Sequence, residues 1–122
     1  MSDERILLGH GGGGRLSHQL IRDEILSRFA RRSGAPLAAL GDGASLTTEG
    51  RGLAFSTDGF VVDPLEFPGG TIGDLAVHGT VNDVACCGAK PRWLSLGMIL
   101  EEGLPLATLR RVLDSVVRAA EV

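Results

Sequence analysis

The sequence predicts an α/β fold or α+β layer, and three observations carry that expectation. Apolar residues recur at helical spacing in three segments, near 15–31, 71–87 and 108–120. Runs rich in β-branched and aromatic residues lie between them, bounded by glycine, proline and aspartate. The resulting order is α-β-β-α-β-α, and 122 residues at 43% hydrophobic content suffice for the core of one domain.

In the first helix, Leu16, Leu20, Ile21, Ile25, Leu26 and Phe29 form the apolar stripe, and Gly34 with Pro36 ends it. A hairpin is expected next, from Ala44–Thr48 through Glu49-Gly50-Arg51-Gly52 into Leu53–Thr57. Asp58-Gly59 interrupts that strand, and Phe60-Val61-Val62 resumes it. A long loop through Asp63-Pro64 and Phe67-Pro68-Gly69-Gly70 closes at Thr71, a good N-cap for a helix running to about Cys87, with Gly88 as its stop. Arg92–Leu100 reads as a buried strand, and Thr108–Ala120 as a third helix whose first turn lies near Pro105. Val116, Val117, Ala119 and Ala120 keep the helical pattern without a terminator, so the sequence reads as a cut chain.

A formal net charge of −3 and the absence of a basic cluster argue against nucleic-acid binding. The sequence shows neither a long apolar run nor a signal peptide, so no membrane association and a cytoplasmic location are expected. Cys86 and Cys87 are adjacent, which rules out an ordinary bridge between them, and they read as small buried helix residues.

The segment with the strongest chemical signal is Gly9-His10-Gly11-Gly12-Gly13-Gly14-Arg15. Consecutive glycines let backbone N–H groups converge on an anion, and the following helix start and Arg15 add donors, so Gly11, Gly12, Gly13, Gly14 and Arg15 are candidates for phosphate binding. A flexible terminal tail is the competing reading. The segment is not a Walker loop, because Arg15-Leu16 stands where Lys and then Ser or Thr would be needed.

Asp42 in Gly41-Asp42-Gly43, Asp58 in Thr57-Asp58-Gly59 and Asp83 in Asn82-Asp83-Val84 are candidate metal ligands. Magnesium takes oxygen ligands and is shared between one or two carboxylates and substrate phosphates, which couples these aspartates to a phosphate loop. Asp42 and Asp58 have the alternative role of turn formers. Asp83 has the alternative of a solvated helix residue, but Val81, Val84, Ala85 and Cys86 around it are expected to leave it little solvent. Asp74, His78 and Asn82 form a polar stripe at i, i+4, i+8, in which His78 is a base, a metal ligand or a hydrogen-bonded structural residue.

Taken together, Gly-His-Gly-Gly-Gly-Gly-Arg, Ser56-Thr57-Asp58-Gly59-Phe60-Val61-Val62-Asp63-Pro64, Phe67-Pro68-Gly69-Gly70, the run from Ala76 to Asp83 and Leu94-Ser95-Leu96-Gly97 resemble the HypE family of hydrogenase maturation proteins. These proteins belong to the aminoimidazole ribonucleotide synthetase (PurM-like) superfamily. The resemblance implies an amino-terminal ATP-binding domain over residues 1–122, a mixed sheet with helices on one face, whose sheet pairs with its twin in a homodimer. It assigns Asp42, Asp58 and Asp83 to Mg2+ and phosphate, Asn82 to the nucleotide site, and Gly11–Gly14 to a loop covering ATP. Gly43 stands where the family commonly has a second acid, which leaves one ligand fewer.

The implied activity is dehydration of a carbamoyl group on a carboxy-terminal cysteine to a thiocyanate, with ATP phosphorylating the amide oxygen. The resulting cyanide serves the nickel-iron centre, with the carbamoyltransferase HypF and the HypC–HypD complex as implied partners. The family's carboxy-terminal half is not among these residues. The alternatives are a non-catalytic dimerisation or docking module of the same fold and another ATP-dependent enzyme of the superfamily.

Overall fold

The computed structural model describes residues 4–29, 50 and 52–121. A 3-10 turn, Leu8–Gly11, precedes the first helix, α1, which runs as α-helix over Arg15–Gln19, as π-helix over Leu20–Leu26 and again as α-helix over Ser27–Phe29. Strands β1 (Glu66–Phe67) and β2 (Gly70–Thr71) form a small antiparallel hairpin, with Glu66 opposite Thr71 and Phe67 opposite Gly70. Helix α2 spans Ile72–Cys86 and α3 spans Leu106–Ala119. All three expected helices are present; Gly34 and Pro36, the expected end of the first, lie outside the described residues.

Local signals explain the ends of α2 and α3. Thr71 Oγ1 accepts from the Gly73 amide at 2.9 Å while Asp74 Oδ2 accepts from the Thr71 amide at 2.8 Å, which completes a capping box. Gly88 takes φ +72° just beyond α2, a conformation that ends a helix without Cβ strain. Pro105 caps α3 in an extended conformation.

The π-helical stretch changes which face of α1 is covered. The Ser27 amide reaches the Arg22 carbonyl five residues back, and the side chains of Ser27 and Arg28 donate to the carbonyls of Asp23 and Glu24. Leu20 is buried, but Leu16 and Ile21, expected in the stripe, are exposed, and Ser17 is buried instead. Within Leu20–Leu26 the wider winding departs from the 3.6-residue repeat that placed Ile21 in the stripe, while Leu16 and Ser17, before it, are turned to the glycine segment, Leu16 by Gly9 and Ser17 bonded to His10 and Gly13.

The main core joins Ile6, Leu20, Leu106, Leu109 and Leu113, with Met98, Leu100 and Leu104 half-buried against it. A second cluster, Val77, Val116 and Ala119, seals α2 against α3. Ile6 is fixed from both sides, donating to the Leu104 carbonyl and accepting from the Gly103 amide, each at 2.8 Å. Gly73 sits where α2 and α3 cross most closely, since a methyl group there would meet Ser115 Oγ and fall 2.5 Å from the Val112 carbonyl oxygen. Arg110 on α3 binds Glu24 of α1 and Glu4, and Arg111 grips Glu66 of β1 through two nitrogens. The hydrogen bond from Arg110 holds the Glu24 carboxyl below the usual range against the opposing effect of burial. The hydrogen bond from Arg111 does the same for Glu66.

Several expectations need correction. Leu53–Thr57, Phe60–Val62 and Arg92–Leu100 have no ladder among the described residues and are not strands there. A strand exists only through its partner, and the proposed partner, Ala44–Thr48, lies outside the described residues. Arg92–Leu100 is not buried as a whole; Met98 and Leu100 face the core, while Trp93, Leu94, Leu96 and Ile99 are exposed. The hairpin β1–β2 forms inside the segment read as loop, where Gly69 at φ +99° makes the turn. Cys86 and Cys87 are exposed, because α2 buries its amino-terminal half and leaves its last turn uncovered.

Candidate nucleotide site

The glycine segment is a folded turn. The His10 amide donates to the Leu7 carbonyl at 2.9 Å and Gly12 to the Gly9 carbonyl at 3.3 Å. His10 Nδ1 accepts from the Leu7 amide at 2.9 Å. Gly13 takes φ +72°, a region that favours glycine, and its amide donates to Ser17 Oγ at 2.9 Å. Leu16 folds back over the turn, so a methyl on Gly9 would fall 3.1 Å from its Cδ1.

The glycine amides therefore do not all point outward, as four free donors would. Gly12 and Gly13 are committed within the loop, whereas the amides of Gly14, Arg15, Leu16 and Ser17 have no acceptor among the described residues. That is the pattern of a helix start. Gly11, Gly12, Gly13, Gly14 and Arg15 are all exposed, and the Arg15 side chain has no ion pair among the described residues.

The aspartates lie on a second element. The segment 56–60 crosses α2 in the reverse direction, and two contacts set its register. The Phe60 ring lies over Gly79, so closely that a methyl there would fall 2.6 Å from Cζ. Four residues along each chain, Ser56 Oγ donates to Asp83 Oδ2 at 3.3 Å. Asp58 sits between these contacts, exposed, with Oδ1 accepting from the Gly59 amide at 2.7 Å.

Asp58 and Asp83 are thus carried by neighbouring segments, while Asp42 lies outside the described residues. Asp83 is exposed, contrary to expectation, because Val81 and Val84 turn toward the protein and leave its own face of α2 in solvent. Asn82 is exposed beside it, as is His78. Asp74 leaves the polar stripe for a structural role, capping α2 and pairing with Arg118 at 3.3 Å.

Among the described residues no three His, Cys, Asp or Glu side chains gather as a metal cage. Asp58 and Asp83 are exposed carboxylates on adjoining segments, the donor type taken by a magnesium ion that keeps waters and draws its remaining ligands from phosphate. No hydrogen bond or ion pair joins the glycine turn to the Asp58–Asp83 region among the described residues. Sequence reasoning missed Ser17, Ser56 and the Phe60–Gly79 contact. Ser17 left a readable signal: it lies three residues before buried Leu20, where a hydroxyl needs a partner.

Comparison with known proteins adds the family. Residues 40–122 match the family described as AIR synthase related protein, N-terminal domain, a match that begins after the glycine turn. The chain is 49% identical over 121 residues to carbamoyl dehydratase HypE of Rhodobacter capsulatus, covering 99% of this chain and 35% of that protein. It is 52% identical over 117 residues to carbamoyl dehydratase HypE of Escherichia coli (strain K12), covering 94% of this chain and 35% of that one. Against the hydrogenase expression/formation protein HupE of Azotobacter chroococcum it is 48% identical over 111 residues, covering 91% and 32%. The chain thus spans about a third of the length of the curated relatives it matches. No solved structure matches it. The chain belongs to the family of AIR synthase related N-terminal domains, in the form that HypE proteins carry.

Proposed function

We propose that this chain is the ATP- and magnesium-binding, dimer-forming domain of a HypE-like carbamoyl dehydratase that acts in hydrogenase maturation. The observation that carries the reading is near-half identity to carbamoyl dehydratases along almost the whole chain, glycine turn included. The amides of Gly14, Arg15 and Leu16, on exposed residues and without acceptors among the described residues, would take the phosphates together with the Arg15 side chain. Asp58 and Asp83, with Asp42, would hold the metal, and Asn82 would lie beside the nucleotide.

An amide oxygen is a poor leaving group, and bound magnesium-ATP would supply the phosphoryl group that turns it into a good one. The chain's part in this is to bind, orient and neutralise: its amides and Arg15 offset the phosphate charge, and its carboxylates fix the cation. The sheet that these proteins build would continue across a twofold axis, covering the exposed Leu53, Phe55 and Val61. Supply of the carbamoyl group by HypF and delivery of the product to HypC–HypD belong to the same proposal.

A non-catalytic dimerisation module of the same fold is the second reading, and Gly43 in place of a second acid favours it. The two separate in the full-length protein. Asp58→Asn and Asp83→Asn should stop ATP-dependent dehydration while the terminal cysteine is still carbamoylated. Dehydration at the wild-type rate in both variants would overturn the site assignment.

A further inference from the structure

The glycine turn is held by a clip that lies outside the glycine motif. Ser17 is only 7% exposed, and its hydroxyl is used in both directions. It donates to the His10 carbonyl and accepts from the Gly13 amide. The two ends of the Gly11-Gly12-Gly13 stretch are thereby tied to one buried atom on the first turn of α1. The tie holds Gly13 at its positive φ, and the Gly14 amide next to it has no acceptor among the described residues.

We propose that Ser17 is a positioning residue that pre-forms the glycine turn for a polyphosphate, an inference that rests on the nucleotide reading of this loop. Glycine loses more backbone freedom on ordering than any other residue, so a loose run of four would weaken binding by the entropy of fixing it. A clip that meets this cost during folding leaves more of the phosphate contact energy as affinity. Only a hydroxyl serves, because the site needs one proton for the His10 carbonyl and one lone pair for the Gly13 amide. Threonine retains both functions and alanine neither.

The test uses the 122-residue chain, titrated with ATP and magnesium at a temperature where every variant is folded, with amide exchange followed across Gly9–Gly14. Ser17→Ala should bind ATP about tenfold more weakly, the effect of one ordinary hydrogen bond's worth of ordering. Exchange at Gly12 and Gly13 should be faster in the same variant without nucleotide, and Ser17→Thr should restore both. Ser17→Ala binding as wild type does, with ATP still protecting the loop amides, would overturn the clip alone. Wild-type chain that binds no ATP, or binds it without protecting those amides, would overturn the nucleotide reading and the clip with it.

Discussion

Ser56 donates from its hydroxyl to Asp83 Oδ2 at 3.3 Å across 27 residues of sequence, and one helical turn earlier the Phe60 ring covers Gly79. These two contacts place Asp58 beside the helix that carries Asp83. The segment depends on Gly79 having no side chain.

Replacing Gly79 with valine should therefore push Phe60 away and release the segment that carries Asp58. Because that segment is not part of the buried core, the loss should fall on magnesium-dependent nucleotide binding more than on stability. We expect about tenfold weaker binding, and a melting midpoint lowered by no more than about 4–8 °C, the shift of roughly 1 kcal/mol in a small domain. Titration calorimetry and thermal melting on the same sample check this.

Gly73 marks the opposite case. A methyl there meets Ser115 and the Val112 backbone, and the helix crossing offers no flexible neighbour to yield. Gly73→Ala should destabilise the fold by about 1–3 kcal/mol, the usual cost of overpacking. Leu113→Ala, at a fully buried position, should cost about 2–5 kcal/mol. Urea unfolding measures both.

Acid should weaken the tie between α1 and α3. Folding lowers the Glu24 pKa below its ordinary 4.5, chiefly through the hydrogen bond from Arg110, so the unfolded chain binds that proton more readily. The stabilisation is present above the ordinary value and is lost as pH falls through the lowered one. The gap in melting temperature between wild type and Glu24→Gln should shrink as pH drops below about 4.5 and stay constant above about 6. A gap that widens in acid would reverse the assigned sign.

Leu53, Phe55 and Val61 are large apolar side chains that one copy leaves in water. A homodimer in the range of tens of micromolar or tighter is expected, since extensive apolar interfaces commonly bind at least this well. Sedimentation equilibrium should give twice the chain mass, and Phe55→Asp should give the monomer. A monomeric wild-type chain at that concentration would exclude the pairing.

What the sequence revealed follows from the range of each signal. Thr71, Gly88 and Pro105 act within a turn of their own helix, and all three mark ends that the structure has. Strands were less legible, since Leu53–Thr57 and Arg92–Leu100 carry β composition but need partners that composition does not specify. The surroundings of Asp83 were misread because flanking valines show only that one side of a helix is covered, not which side the aspartate takes. Ser17 shows in the sequence only that its hydroxyl needs a partner, and Gly79 shows nothing, because each matters through a contact made in three dimensions, with a glycine amide in one case and an aromatic ring in the other.

The most direct test of the account is calorimetric titration of the chain with ATP, with and without magnesium, for wild type, Asp58→Asn and Asp83→Asn. Each substitution keeps the side-chain shape and removes the charge that a hard cation needs. The account predicts binding by wild type that depends on magnesium, loss of that dependence in both variants, and circular dichroism spectra that coincide for all three. Magnesium-dependent binding of equal strength in the wild-type chain and both variants would contradict it.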